Sequence, residues 1–110
     1  MNGTIIRKKW LNLILSGQKT MEVKSQYKPF KGQTIALGYS SLVKGYALVK
    51  DIITIAYNDI PKYQSQHLAT QWLMGHYKGR TVYGYLLEEV RVEKRKVPYP
   101  RSYGSVWFRI

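Results

Sequence analysis

The sequence predicts an α+β domain, with five or six strands of uneven length bent into a small barrel and two helices packed against it. Three observations carry this. Apolar and polar residues alternate over much of the chain, and two alternating stretches, 43–55 and 81–92, are long for a chain of 110 residues. Strands that long in so short a chain have to bend, and closing on themselves leaves no free edge. Helical spacing is confined to two segments, near 8–16 and 58–73. Hydrophobic content of 45% over 110 residues supplies one core, so residues 1–110 are read as a single domain.

Thr4 to Arg7 reads as a short strand. From Lys8 to Ser16 the positions Trp10, Leu13, Ile14 and Gly17 recur at helical spacing, and Gly17 suits the residue just past a helix end, where glycine turns left-handed at little cost. Thr20 to Lys24 alternates as a strand that would send Met21 and Val23 into the core. Pro29-Phe30-Lys31-Gly32 marks a turn, and Thr34 to Tyr39 a buried strand. Val43 to Ile55 is a long strand with a bend or bulge at Gly45. Asn58 or Asp59 caps a second helix with Pro61 in its first turn, running to about Leu73 and stopping at Gly75. Thr81 to Val92 is the second long strand; a loop over 97–104 precedes a last strand, Ser105 to Ile110.

Charge narrows the partners. Eighteen Lys and Arg against six Asp and Glu give a formal +12 and a sequence pI near 10.0. A polyanion relieves repulsion of that size, and nucleic acid is the commonest one. An anionic membrane would also satisfy the charge, but no apolar run approaches the ~18–20 residues that span a bilayer, and no signal-peptide pattern opens the chain. Without cysteine there is no disulfide or thiolate chemistry, and a reducing cytoplasm is the simplest address. Ten tyrosines and three tryptophans against two phenylalanines favour rings with a polar edge, suited to stacking bases as well as to strands. The cations are dispersed, as a groove tracking a phosphate backbone needs; the run 92–97 is where non-specific phosphate contacts are expected.

Chemistry concentrates in Gly17-x-Lys19-x-x-Glu22-x-Lys24. In an extended segment Thr20, Glu22 and Lys24 share one face, and Lys19 joins them if the Gly17 turn aims it there. Two ammoniums could stabilise charge growing on a phosphorane while Glu22 takes a 2′-hydroxyl proton. The same residues could equally form a surface Glu22–Lys24 ion pair worth at most ~1 kcal/mol. His67 and His76 stand nine apart, which is no ligand spacing, and both are read as helix-surface or helix-end residues. No metal site and no cofactor are expected. Trp10 suits core packing, with base stacking at a cleft mouth as the alternative.

The segment Trp10-x-x-Leu13-Ile14-Leu15-Ser16-Gly17-x-Lys19-Thr20-x-Glu22-Val23-Lys24 resembles the signature of the ASCH domain family (activating signal cointegrator homology), whose usual pattern is Gly-x-Lys-x-x-Glu-x-Arg after a short helix. Gly32 to Leu37, Val43-x-Gly45-x-Ala47, Tyr83 to Leu87, Pro98-Tyr99 and Gly104-Ser105-Val106 resemble its later elements in order, so nearly the whole chain is covered. The resemblance implies a PUA-like β-barrel flanked by helices, a basic cleft beside the motif, and dealings with RNA. Members include RNA binders, ribonucleases, and amidohydrolases that deacylate N4-acylated cytidine. The amidohydrolases carry a threonine nucleophile three residues after the lysine, where this chain has Glu22; Thr20 is not the matching position. Relatives of this short type often have His-Pro in the last loop, where this chain has Arg101-Ser102.

The expectation is a cytoplasmic binder of single-stranded or modified RNA, and a ribonuclease if the cleft also cuts. Lys19 and Glu22 are the candidate catalytic pair, and Lys8, Thr20, Lys24, Tyr85, Arg101 and Ser102 the candidate nucleic-acid contacts. The alternatives are deacylation of an acylated cytidine nucleoside, with Thr20 or a water held by Glu22 as nucleophile, and a protein-interaction module that docks an acidic partner.

Overall fold

Six strands form one sheet in the order β2-β5-β4-β3-β1-β6, curled into a half-barrel. The computed structural model describes residues 1–102 and 104–110. The strands are β1 (Asn2–Ile5), β2 (Met21–Lys24), β3 (Thr34–Tyr39), β4 (Leu42–Ile55), β5 (Val82–Val92) and β6 (Trp107–Arg109). Helix α1 (Lys8–Leu15) follows β1. A 3-10 helix (Tyr57–Tyr63), the single turn α2 (Gln64–His67) and α3 (Thr70–His76) lie between β4 and β5. All pairings are antiparallel except β1 with β3.

The expected barrel is therefore left open. The edges β2 and β6 are not neighbours in the ladder, and side chains span the seam between them. Lys24 of β2 donates to the Ile5 carbonyl of β1 at 2.8 Å, and the Trp107 indole of β6 donates to Gln26 Oε1 at 2.7 Å.

Each element follows from its residues, with three corrections. The first strand is two residues earlier than expected: Arg7, with φ −58° and ψ 141°, already sits at the head of α1. Leu11 and Ile14 bury one face of α1, and Gly17 takes φ +84° just beyond its end, as the glycine signal requires. The single helix predicted over 58–73 is broken instead. Leu68 adopts φ +59°, a left-handed conformation that ends α2, and α3 starts afresh two residues later. Gly75 consequently lies inside α3 rather than at its end. In the expected loop 97–104, Val97 and Tyr99 pair with the β3–β4 turn, and the Tyr99 ring stacks on Phe108 at 4.1 Å; Tyr103 lies outside the described residues.

Three apolar clusters fill the molecule. One lies under α1, including Ile6, Leu11, Ile14, Leu37, Val49 and Leu87. A second joins Met21 and Val23 to Ile60, Ala69 and Leu73 of the helical layer. The third is built on Tyr99 and Phe108. Strand β2 is buried on both faces: Met21 and Val23 sit against the helical layer, and Glu22 and Lys24 are nearly as inaccessible.

The bend expected at Gly45 is real. Leu37 faces Gly45 but Gly38 faces Val43, so Lys44 is the extra residue of a bulge. A Cβ at Gly45 would fall 2.5 Å from Leu15 Cδ2 and 2.6 Å from the Arg91 carbonyl oxygen. The backbone oxygen cannot yield without breaking the sheet. Gly45→Ala should therefore cost about 1–3 kcal/mol, read as a lower urea midpoint at unchanged m-value; an unshifted midpoint would contradict this packing.

Candidate functional site

The site grows out of the turn after α1. Gly17 reverses the chain, the Lys19 amide donates to the Leu13 carbonyl at 3.0 Å, and the Thr20 amide donates to Gln66 at 3.0 Å. These bonds tie the turn to both helical layers and swing Lys19 inward, to 2% exposure. Glu22 follows on β2, opposite Tyr85 of β5, and Lys24 comes two residues on, on the same strand face.

Glu22 lies between two ammoniums. Its Oε1 is 3.7 Å from Lys19 Nζ and its Oε2 is 3.3 Å from Lys24 Nζ. Each lysine has a second, backbone partner: Lys19 donates to the His67 carbonyl and Lys24 to that of Ile5. Each also lies over an indole, Lys19 at 5.4 Å from the Trp10 centroid and Lys24 at 5.8 Å from that of Trp107. Burial pushes the Lys19 ammonium below its usual pKa, against the opposing pull of Glu22.

These three groups line a cavity of about 150 Å³ in the open seam. Trp10, Trp72 and Tyr77 provide aromatic walls, with Ile5 and Val106 opposite. Trp72 stacks on His76 at 4.5 Å and meets Trp10 edge-on at 6.4 Å; the Arg7 guanidinium lies 5.2 Å from its ring centroid. Burial, reinforced by Glu22, raises the Tyr77 hydroxyl pKa. The cavity continues into a trough bordered by Gln26, Arg80 and Trp107, and an outer depression adds Arg101 and Ser102. Glu22 is the one acidic residue among all these lining groups.

The structure thus brings Lys19, Glu22 and Lys24 together and places Arg101 and Ser102 at the outer margin. It does not bring in the other candidates. Lys8 lines a separate depression with Lys44 and Val92, because the face of α1 that carries it turns away from the seam. Thr20 is exposed and lines none of these hollows; its main-chain groups bond Gln66 and Leu87. Tyr85 is 2% exposed beneath the site, its hydroxyl donating to Gln26 O at 2.7 Å and accepting from Lys28 N at 2.9 Å. That burial pushes its pKa up to about 12.

Sequence reasoning missed Trp72 and Tyr77. The signal was there: Trp72 and His76 are four apart and share a helical face. Trp10, read as core with stacking as the alternative, is half-buried and lines the cavity.

His67 does end α2, but it is fully buried rather than on a helix surface. Its Nε2 donates to Ile60 O at 2.8 Å and its Nδ1 accepts from Ala69 N at 2.9 Å, which fixes a neutral ring. His76 does sit exposed at the end of α3. No group of three His, Cys, Asp or Glu that could hold a metal occurs among the described residues, and no helix there is long and apolar enough to cross a membrane.

No protein-family model and no curated protein matches the sequence. Solved structures do match. The ASCH protein of Zymomonas mobilis superposes with a TM-score of 0.71 at 19% identity, over 89% of this chain and 69% of that one. A serine-to-alanine variant of it gives 0.70 at 19% identity, over 89% and 70%. A tyrosine-to-phenylalanine variant gives 0.63 at 17%, over 90% and 72%. At such identity the likeness is one of fold: the chain has the fold of these ASCH proteins.

Burial lowers the His67 pKa below its usual 6.5, opposed by the bond to Ile60, and the Lys19 charge lowers it further. A depressed folded-state pKa means that the unfolded chain binds the proton first. The ring's contribution to stability is full above about pH 6.5 and is lost as pH falls through that value to the folded-state pKa. His67→Gln should lower the melting temperature at pH 7, and the gap to wild type should narrow toward pH 5. A gap independent of pH would show that the ring does not titrate in this way.

Proposed function

We propose that this ASCH-fold domain binds single-stranded RNA by drawing one base into the seam cavity while cations at the rim hold the flanking phosphates. The observation that carries the reading is Glu22 set between two tethered ammoniums on the floor of an aromatic-walled cavity of about 150 Å³. That volume suits one planar heterocycle. Carboxylate and ammonium groups present an acceptor and donors to a base edge, which is accessible only when the base is splayed from a strand. Around the mouth, Arg7 and Arg80 rest on Trp72 and Tyr77, and Lys28 lies over Trp107, none of them in a salt bridge among the described residues. Cations placed beside stacking rings are what sequence-tolerant single-strand binding uses.

Holding is favoured over cutting because Lys19 and Lys24 are each anchored to a backbone carbonyl before any ligand arrives. Deacylation has the weaker support: Thr20 stands outside the cavity.

The test is fluorescence anisotropy of an end-labelled single strand in EDTA across a salt series. The dissociation constant should rise with salt, with a log–log slope of about 0.7 for each phosphate neutralised. Arg80→Ala should reduce that slope by about one phosphate's share. Trp72→Ala should weaken binding by about 1–3 kcal/mol with the slope unchanged. Binding indifferent to salt, or to both substitutions, would sink the proposal. Running the same strand on a denaturing gel tests cleavage: shortening by wild type but not by Glu22→Gln would make the site catalytic as well.

A further inference from the structure

We infer that the cavity selects uracil, because the row Lys19–Glu22–Lys24 presents a donor, an acceptor and a donor, the complement of an imide edge. This rests on the base-binding reading above and names the base.

The argument is a count of valences. An ammonium carries three N–H donors. Lys19 directs one at the His67 carbonyl and faces Glu22 with another; Lys24 directs one at the Ile5 carbonyl and likewise faces Glu22. One donor per lysine is left for an occupant of the cavity that both line. A carboxylate offers about four lone-pair sites, and the two lysines face one oxygen each, so Glu22 keeps acceptor capacity between them.

The pairing bases differ in what they offer such a row. Uracil has a carbonyl on each side of its N3–H, so acceptor, donor and acceptor meet donor, acceptor and donor. Cytosine puts an unprotonated nitrogen at the centre, lone pair against the carboxylate. Adenine does the same at N1. Guanine matches at O6 and N1–H but sets its amino group against an ammonium. A buried polar group left facing its own kind is costly, which is how such sites discriminate.

The seam makes the row rigid. Lys24 bridges β2 to β1 and Lys19 is fastened to the α2 turn, so neither donor can withdraw to suit another edge. Tyr85, whose hydroxyl is spent on Gln26 and Lys28, closes the floor beneath Glu22 and offers no competing donor.

The test compares labelled RNA heptamers of uridine, cytidine, adenosine and 3-methyluridine by anisotropy at one salt concentration, in EDTA. Uridine should bind about tenfold or more tightly than cytidine or adenosine. The 3-methyl strand, which keeps both carbonyls but loses the central N–H, should fall to the cytidine level. This contrast alters only the ligand, so it does not depend on a variant folding. Glu22→Gln should abolish the uridine preference without changing the salt slope. Equal affinity for all four strands, or tight binding of the methylated one, would overturn the uracil assignment and leave single-strand binding intact. Failure of every strand to bind would overturn both.

Discussion

The carboxylate of Glu22 holds together a part of the molecule that the backbone leaves open. Strands β2 and β6 end the sheet, and no ladder joins them. Lys24 reaches across to the Ile5 carbonyl, Lys19 reaches to the His67 carbonyl, and Glu22 lies between their two charges. Taking such ions out of water costs several kcal/mol each unless they are fully partnered. Here each has at least two partners, so the seam tolerates charges at 2–8% exposure. Removing Glu22 alone would leave two near-buried ammoniums facing each other, a far worse state than never having built the trio. An apolar seam would simply have closed. The charged one stays ajar, and the cavity is the result.

What fixes Lys19 is the break in the helical layer. A continuous helix over 58–73 would have spent the His67 carbonyl on its own ladder. Leu68 turns left-handed instead, at the cost such a backbone carries for a branched residue, and frees that carbonyl. His67 repairs the damage with its ring, taking the Ala69 amide on Nδ1 and bonding Ile60 with Nε2. The same turn places Ala69 and Leu73 against Met21 and Val23. Backbone strain, a buried imidazole and an apolar cluster therefore all converge on the position of one ammonium, which is the pattern expected where strain serves a site.

Much of this was legible in the sequence because it is local. Gly17 announced the turn, alternation located β2 through β5, and the Gly-x-Lys-x-x-Glu-x-Lys spacing singled out the three groups that meet. What was hidden is non-local. Alternation in β2 suggests one wet face, yet Glu22 and Lys24 are covered because β1 curls over them. Whether a sheet closes depends on the order of its strands, which periodicity does not encode. Lys8 and Tyr85 are right in residue type for nucleic acid, but the phase of α1 takes one away from the seam and burial takes the other. The helix break was masked because Pro61, Asn58 and Asp59 form a good start signal and nothing at Leu68 forbids a helix.

The distribution of the six acids carries the argument about charge one step further. Asp51, Asp59 and Glu88 pair with Lys31, Lys62 and Lys50 on outer surfaces, the covered Glu93 carboxylate pairs with exposed Arg95, and Glu89 is in no ion pair among the described residues. Glu22 alone serves the seam, where it is outnumbered two to one. Around the mouth the cations are positioned by aromatic faces rather than carboxylates: Arg7 on Trp72, Lys9 on Trp10, Lys28 on Trp107 and Arg80 on Tyr77. A carboxylate orders a cation by cancelling its charge, whereas a ring orders it and leaves the charge whole. The outer surfaces are thus partly neutralised while the seam keeps its field, and low-dielectric aromatic walls focus that field at the cavity mouth. A formal charge of +12 says only that a polyanion would be welcome; on the proposed reading, the replacement of acids by rings around the seam is what would give it a place to lie.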